Sequence, residues 1–433
     1  MIRRYQNNKI NKIWNQTNKL NTWLKIEILV LQYWHQSALF NHQTMSAINK
    51  LTCNSKRLEE IEKNTNHEIF AFVNMLTEQL PSEQGKWIHY GLTSNDILDT
   101  TQNYLLKQSC EIIVQKIENI LVILKKTAYQ EKNTISIGRT HGMFAEPITI
   151  GFKFALWFYE LRNHLRRINE AKKEINYVKI LGPTGISAHS SLELNKFVGK
   201  KLDMKATKIA NQVISRDHLI AVFNTLINLV TSIEKSAIEI RNLSRSELNE
   251  ISEGFGKKQK GSSAMPHKKN PIWSENICGL VRYLRNMTQS FYHTNLLWHE
   301  RDLSNSSIER IAIPDTLHLT MTILTRWEKV LTNLQINHSQ IKINLKKEPV
   351  AVFSHRILLT LIAKSKLNRQ EAYQLVQKAS FETLKNQTNF QENLKTLGIL
   401  NYLTPKQLQD CFNYDSFMKN IDNIFHEVFN ENE

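Results

Sequence analysis

The sequence predicts an all-α fold of three helical domains around a central bundle of long helices. Three observations carry that prediction. The 433 residues include only 13 Gly and 8 Pro, roughly half of ordinary usage or less, so tight turns are few and a sandwich or a Gly-looped α/β sheet is disfavoured. Apolar residues recur at alternating spacings of three and four, the seam of helices packed side by side. That seam is sustained in three separate segments of about 30 residues, well beyond the mean helix of about 11–12. Helices this long suggest a bundle completed by other subunits.

In chain order, shorter helical patterns around 22–37 and 67–80 mark an N-terminal helical domain over 1–92. The first long seam, about 95–131, runs through Leu106, Cys110, Ile113, Ile117, Ile120 and Leu124. A further helix over 147–178 follows Pro147. The second seam, 217–253, carries Leu219, Phe223, Leu226, Val230, Ile233, Ala237 and Ile240. The third, 272–298, carries Trp273, Ile277, Leu280, Leu284, Met287 and Phe291. With a helix over 308–336, these form a central domain, 93–340. Beyond 341 the helices shorten, with one over 355–388, and Pro349, Gly398 and Pro405 restore turns, giving a C-terminal domain over 341–433.

Lys and Arg number 56 against 40 Asp and Glu, a formal charge of +16. That balance suits nucleic acid, an anionic membrane surface or small anions. The lysines are spread widely and no RRM, KH or zinc-finger pattern is present, so a basic helical nucleic-acid binder is the runner-up only. The longest apolar runs, 28–31 and 155–159, are far short of the roughly 20 residues of a membrane span. Cys53, Cys110, Cys278 and Cys411 are scattered with no C-x-x-C pair, which fits a reducing compartment. The opening MIRRYQNNKINK is too polar for a secretory signal. The expectation is a cytoplasmic protein without a membrane partner.

One segment breaks the helical order. Residues 254–270 read GFGKKQKGSSAMPHKKN, with three glycines, five lysines, one histidine and no acid. A 17-residue connection exceeds the usual bundle turn of about 2–8 residues, and long basic loops on rigid scaffolds commonly bind or catalyse. Residues 256–263 spell G-x-x-x-x-G-S-S, which lacks the lysine of a phosphate loop and follows a helix rather than a strand. His299-Glu300 has no second histidine for a zinc protease, and no G-x-S-x-G elbow occurs. Asn270-Pro271 suits the cap and first residue of the third long helix. Its free N–H groups and positive end would then face the loop and, with Lys268, stabilise an alkoxide at Ser262 or a carboxylate gaining charge.

The run Gly261-Ser262-Ser263-Ala264-Met265-Pro266-His267-Lys268-Lys269-Asn270-Pro271 resembles the signature of the fumarase/aspartase superfamily, whose members expel fumarate by β-elimination. Two further regions resemble that superfamily in the expected order: Gly91-Leu92-Thr93-Ser94-Asn95-Asp96 with Asp99-Thr100, and Gly138-Arg139-Thr140-His141-Gly142 with Glu146-Pro147. Within it, the chain is most similar along its whole length to the adenylosuccinate lyase family. That likeness rests on Arg4-Tyr5, on 86–90 ahead of Thr93, on Gln212 with Arg216-Asp217, and on 298–302 with Ser306-Ser307 and Glu309-Arg310. Another fumarate-releasing member, such as an argininosuccinate lyase, is the alternative, although glutamine usually stands there in place of His267.

The resemblance implies a homotetramer with shared active sites, nucleotide substrates bearing one phosphate and two carboxylates, no cofactor and no metal. It makes Ser262 the base with Ser263 beside it, His141 the acid, Glu275 the group tuning His141, and Lys268 the cation for the carboxylate that gains charge. Thr93 and Ser94 would bind succinyl carboxylates. Arg4, Tyr5, Arg301, Ser306, Ser307 and Arg310 would hold phosphate or carboxylate, and Gln212, Asn270, Asn276 and His89 would complete the hydrogen bonding. The chain departs from the family's Arg-His-Asp at Asn66-His67-Glu68. His67 is still expected to assist at the phosphate or the leaving group, whereas Asn66 withdraws a positive charge. Leu181 and Ile186 also replace small or hydroxylated residues around the 182–185 turn. A lyase fold retained only for binding is the third reading, motivated by Asn66.

Overall fold

The first two seams are the buried stripes of helices, whereas the third, expected over 272–298, ends at Thr288, so Phe291 falls in a separate short helix, Ser290–His293, and Trp273 and Met287 are only half-buried. The computed structural model describes residues 1–255, 264–265 and 267–430. The long helices include Ser94–Gln130, Ile150–Glu174, Asp217–Leu243, Ile272–Thr288 and Ser304–Asn333. Leu106 through Leu124 of the first seam and Leu219 through Ile240 of the second are at most 1% exposed. Full burial of each Leu, Ile, Val or Phe among them stabilises by roughly 1.5–3 kcal/mol. The second helix stops about ten residues sooner than its seam suggests. Glu250 N–H closes back on Leu243 O (2.9 Å), and Ile251–Ser252 pairs antiparallel with Gln335–Ile336. The helix expected over 355–388 is two, Pro349–Lys364 and Arg369–Asn386, the second opened by an Asn368/Glu371 capping box.

The chain forms two compact units, each discontinuous in sequence because the long helices run through both. The first holds residues 1–119, 163–235 and 276–327. Its core gathers Leu20, Trp23, Ile26 and Val30 of the Gln16–Gln36 helix against Ile69, Phe72 and Leu76 of Glu68–Thr77. Trp23 meets Phe72 edge-on, with centroids 5.4 Å apart. The second unit holds 120–162, 236–275 and 328–433. Its core sets Ile137 among Phe353, Ile357, Leu361, Val376 and Phe390.

The second unit also contains a feature absent from the sequence reading, an antiparallel hairpin of Ile135–Thr140 and Met143–Thr149. Its two-residue connection is His141-Gly142, both at positive φ (54° and 79°), as a turn matched to strand twist requires. A side chain at Gly138 would meet Glu146 O at 2.5 Å, and the ladder shifts register there. Among the described residues no helix is long and apolar enough to cross a membrane.

Candidate active site

In the first unit, a cavity of about 320 Å³ opens between the Gln16–Gln36, Ser94–Gln130 and Ser304–Asn333 helices. Its wall includes Lys19, Asp99, Arg216, Arg301, Ser306, Glu309 and Arg310. Arg216 is locked in place. It donates twice to Asp99 (2.8 and 2.9 Å), twice to Glu309 (2.8 and 3.3 Å) and once to Ile214 O (2.7 Å). Those five bonds use every donor of a guanidinium. Burial opposes charge on Asp99, but Arg216 outweighs it and holds the carboxyl below its usual range. Arg216 therefore ties three helices together and has nothing left for a ligand.

Arg301 and Arg310 differ. Arg301 donates to Gln212 Oε1 (2.7 Å), and Gln212 in turn donates to Pro183 O (2.9 Å). Arg310 reaches Ser306 Oγ (3.3 Å) and Glu68 Oε2 (2.5 Å). The other oxygen of Glu68 accepts from Lys19 (2.7 Å). Burial pushes the Glu68 carboxyl up, but Lys19 and Arg310 together bring it below its ordinary value. Ser307 is exposed on the same helix.

Asn66 and His67 join two short helices. Asn66 closes the first in the left-handed region (φ 50°), where asparagine is the best choice after glycine. The cap is thus a structural reason for asparagine. His67 opens the next helix, its Nδ1 accepting from Phe70 N–H (3.0 Å). A ring whose Nδ1 accepts carries its neutral-state proton on Nε2, which leaves an exposed donor. His89, also at positive φ (64°), is gripped by Glu27: Nδ1 to Oε1 at 2.6 Å and backbone N–H to Oε2 at 3.3 Å. Burial opposes its charging, yet Glu27 prevails and raises it above the ordinary value.

Thr93 and Ser94 begin the longest helix. Thr93 N–H donates to Asp96 Oδ2 (2.9 Å), half of a capping box. Asp96 also accepts from Leu181 N–H and Gly182 N–H and pairs with Lys179 at 2.7 Å, both partners fully buried. Leu181 is buried and Ile186 exposed. Gly185 lies so close to the chain at Ala210 that any side chain would collide with it.

Tyr5 stands elsewhere in this unit. Its carbonyl accepts from Thr322 (3.0 Å) and its ring lies under Arg326 (5.1 Å). Along the helix Thr322 is twelve residues past Arg310, about 18 Å at about 1.5 Å per residue. Arg4 is exposed beside it. Within one chain, then, Arg4-Tyr5 and the Arg301–Arg310 group form two clusters.

In the second unit, His141 is exposed at the hairpin tip. The hairpin is braced by Arg139, which donates twice to Glu250 (3.0 and 2.5 Å). Glu250 is 1% exposed and also accepts from Asn344 (2.9 Å). Lys268 and Glu275 are exposed and Asn270 half-buried; Asn276, the next residue after Glu275 but part of the first unit, is half-buried too. Ser262 and Ser263 lie outside the described residues. The first turn of the Ile272–Thr288 helix does not present all its amides to the loop. Trp273 and Ser274 N–H donate to Glu253 (3.1 and 2.6 Å), so a carboxylate already partners that positive end.

Sequence reasoning missed Lys19, Glu27, Lys179 and Glu250. The available signal was a charge inside an apolar run, as Glu27 within Ile26-Glu27-Ile28-Leu29 or Lys179 within Val178-Lys179-Ile180-Leu181.

Comparison with known proteins places this chain in the fumarase/aspartase class of lyases. A family model described as "Lyase" matches residues 3–283, and one described as "Adenylosuccinate lyase C-terminus" matches 351–428. The chain is 39% identical over 430 residues to the adenylosuccinate lyase of Bacillus subtilis (strain 168), covering 99% of both. It shares its fold with the fumarate lyase of Mesorhizobium sp. BNC1 (TM-score 0.89, 20% identity, 99% of this chain and 98% of that one). It shares it also with the 3-carboxy-cis,cis-muconate lactonizing enzyme of Pseudomonas putida (TM-score 0.88, 19% identity, 98% and 96%). The chain belongs to the adenylosuccinate lyase family.

Proposed function

We propose that the chain cleaves succinylated purine nucleotides by β-elimination. Adenylosuccinate gives AMP and fumarate, and the succinylcarboxamide ribotide gives the carboxamide ribotide and fumarate. The observation that carries the nucleotide reading is the first unit's cavity. Lys19, Arg301 and Arg310 line it, and of the carboxylates beside it Asp99 and Glu309 are already taken by Arg216.

Elimination removes a proton from the carbon beside one carboxylate. The C–H electron pair becomes the fumarate double bond, and the C–N pair leaves on nitrogen, which takes a proton. That carbon acid is weak, so the carbanion needs a positioned base and a cation at the carboxylate. Ser262 is the base with Ser263 at its side, and Lys268 neutralises the carboxylate. His141, at the tip of a braced hairpin, protonates the leaving nitrogen, with Glu275 as its orienting partner. Thr93 and Ser94 bind the succinyl carboxylates. Arg301, Ser306, Ser307 and Arg310, with Arg4 and Tyr5, hold phosphate or carboxylate, a task suited to guanidinium forks. Gln212, fixed between Pro183 O and Arg301, joins His89, Asn270 and Asn276 around the base and ribose, and His67 offers its Nε2 donor.

The enzyme is a homotetramer with active sites shared between copies, working in a cytoplasm. Supporting this are the separate Arg4-Tyr5 and Arg301–Arg310 clusters, and the large apolar side chains exposed on long helices: Val122, Leu156, Tyr159, Ile238 and Tyr283. The test is fumarate release with the accompanying ultraviolet change on both substrates. Turnover of neither refutes the function. Ser262→Ala is expected to abolish turnover and keep ligand binding, which separates the enzyme from a binding-only descendant. Light scattering that finds a monomer refutes the shared site.

A further inference from the structure

The roles above leave Lys19 without one. We propose that Lys19 is a binding residue of the same cavity, a third cation that contacts an anionic oxygen group of the nucleotide. This rests on the nucleotide reading and adds a residue to it. Lys19 lines the cavity with Arg301, Ser306 and Arg310, yet comes from a different helix, Gln16–Gln36. It therefore approaches a ligand from another side.

Its placement is built. The ammonium lies 4.6 Å from the centre of the Trp23 ring. Trp23 is fully buried and itself wedged against Phe72. A cation over an indole face is attracted to it, and the packed stem has little rotamer freedom left to lose on binding. Glu68 then aims the head group. One carboxylate oxygen takes Lys19 at 2.7 Å and the other takes Arg310 at 2.5 Å, with Glu68 only 10% exposed.

One carboxylate between two cations leaves a net positive charge at that point. An isolated structural ion pair would leave none. An ammonium has three donors: Glu68 takes one, the ring faces the head group, and Lys19 is still 27% exposed, so a donor remains for a ligand. Arg216 in the same wall has no donor to spare. Asn66, exposed in its helix cap, contributes no charge. Lys19, Arg301 and Arg310 are thus the wall cations with donors available.

The test is steady-state kinetics on the full-length enzyme with Lys19→Met and Lys19→Arg, with product inhibition by AMP and by fumarate measured in parallel. Methionine keeps the stem over Trp23 and removes the charge. Loss of one charge-assisted hydrogen bond predicts KM for adenylosuccinate up about ten-fold with kcat within about two-fold, and Lys19→Arg within about three-fold of wild type. The inhibition arms identify the group bound. A rise in the AMP inhibition constant alone means phosphate, and a rise in that of fumarate alone means a succinyl carboxylate.

Unchanged KM and inhibition constants overturn the proposal, as does a fall in kcat at constant KM, the mark of a merely positioning role. If Lys19→Met does not fold, Lys19→Gln takes its place and is read the same way. If the wild type turns over neither substrate, the function fails separately. Equilibrium binding of AMP and of fumarate to wild type and Lys19→Met then still decides Lys19, with equal affinities overturning it.

Discussion

Cutting the Lys179–Asp96 pair from either side should give unequal damage. Both partners are 0% exposed and meet at 2.7 Å. Breaking a buried pair by removing one partner costs about 3–5 kcal/mol. Where in that range each variant falls depends on what the survivor keeps. After Lys179→Met, Asp96 still accepts from the backbone amides of Thr93, Leu181 and Gly182 at 2.9–3.2 Å, so the cost is about 3 kcal/mol. After Asp96→Leu, the Lys179 ammonium keeps only Gly182 O (2.9 Å), and three amides lose their acceptor, so the cost reaches about 5 kcal/mol or more. The assay is hydrogen exchange of the amides over 178–187. A cost of about 3 kcal/mol accelerates exchange roughly 10²-fold, and about 5 kcal/mol roughly 10³- to 10⁴-fold. Because Pro183 O holds Gln212, which holds Arg301, KM should rise in the same order. Asp96→Leu no more disruptive than Lys179→Met, or exchange unchanged in both, would falsify the reasoning.

Other outcomes follow from the hairpin and the buried histidines. His141→Asn should cut kcat by about 10²- to 10⁴-fold and leave the thermal midpoint within about 2 °C, since asparagine tolerates φ near 54°. His141→Val should lose activity and stability together, because β-branching is strained there. Arg139→Met strips a buried carboxylate, Glu250, of its cation. In steady-state assays it should lower kcat about ten- to a hundred-fold by misplacing His141, although His141 itself is not substituted. Stability should form a dome in pH. Burial, with Arg167 and Lys235, lowers His164 to about 4, so it is neutral when folded and its contribution is lost as pH falls from the ordinary value toward about 4. His89 is raised, so its contribution is full below the ordinary histidine value and is lost as pH rises through the folded one. Denaturation midpoints across pH should show His164→Gln flattening the acid limb and His89→Asn the alkaline limb.

The first two helical seams were legible because a buried stripe repeats locally: Leu106 to Leu124 and Leu219 to Ile240 follow from spacing alone, and all are buried. The hairpin was not, because its evident marks are Gly138 at a register shift and two positive-φ residues at the tip. Neither makes an apolar period. Asp96, three residues past Thr93, caps the longest helix locally. What the rest of Asp96 does was hidden, since Lys179 is 83 residues away. Asn66, read as a missing charge, has a second cause that only backbone dihedrals reveal.

Basic residues near a motif are candidates for binding an anion, but proximity does not separate those that hold the protein from those that can hold a ligand. Donor accounting does. Arg216 sits in the cavity wall beside Arg301, and both lie in family-like segments of the sequence. Yet every donor of Arg216 is spent on Asp99, Glu309 and Ile214. Lys19 belongs to no motif, and keeps a donor and an uncompensated charge. The same logic applies to helix ends. The amides of Trp273 and Ser274 seemed available to an anion until Glu253 was found on them. For a chain with a formal charge of +16, net charge says little about the partner. On the proposed reading, what selects a phosphate- and carboxylate-bearing nucleotide is the small set of cations whose hydrogen bonds the fold has left unfinished.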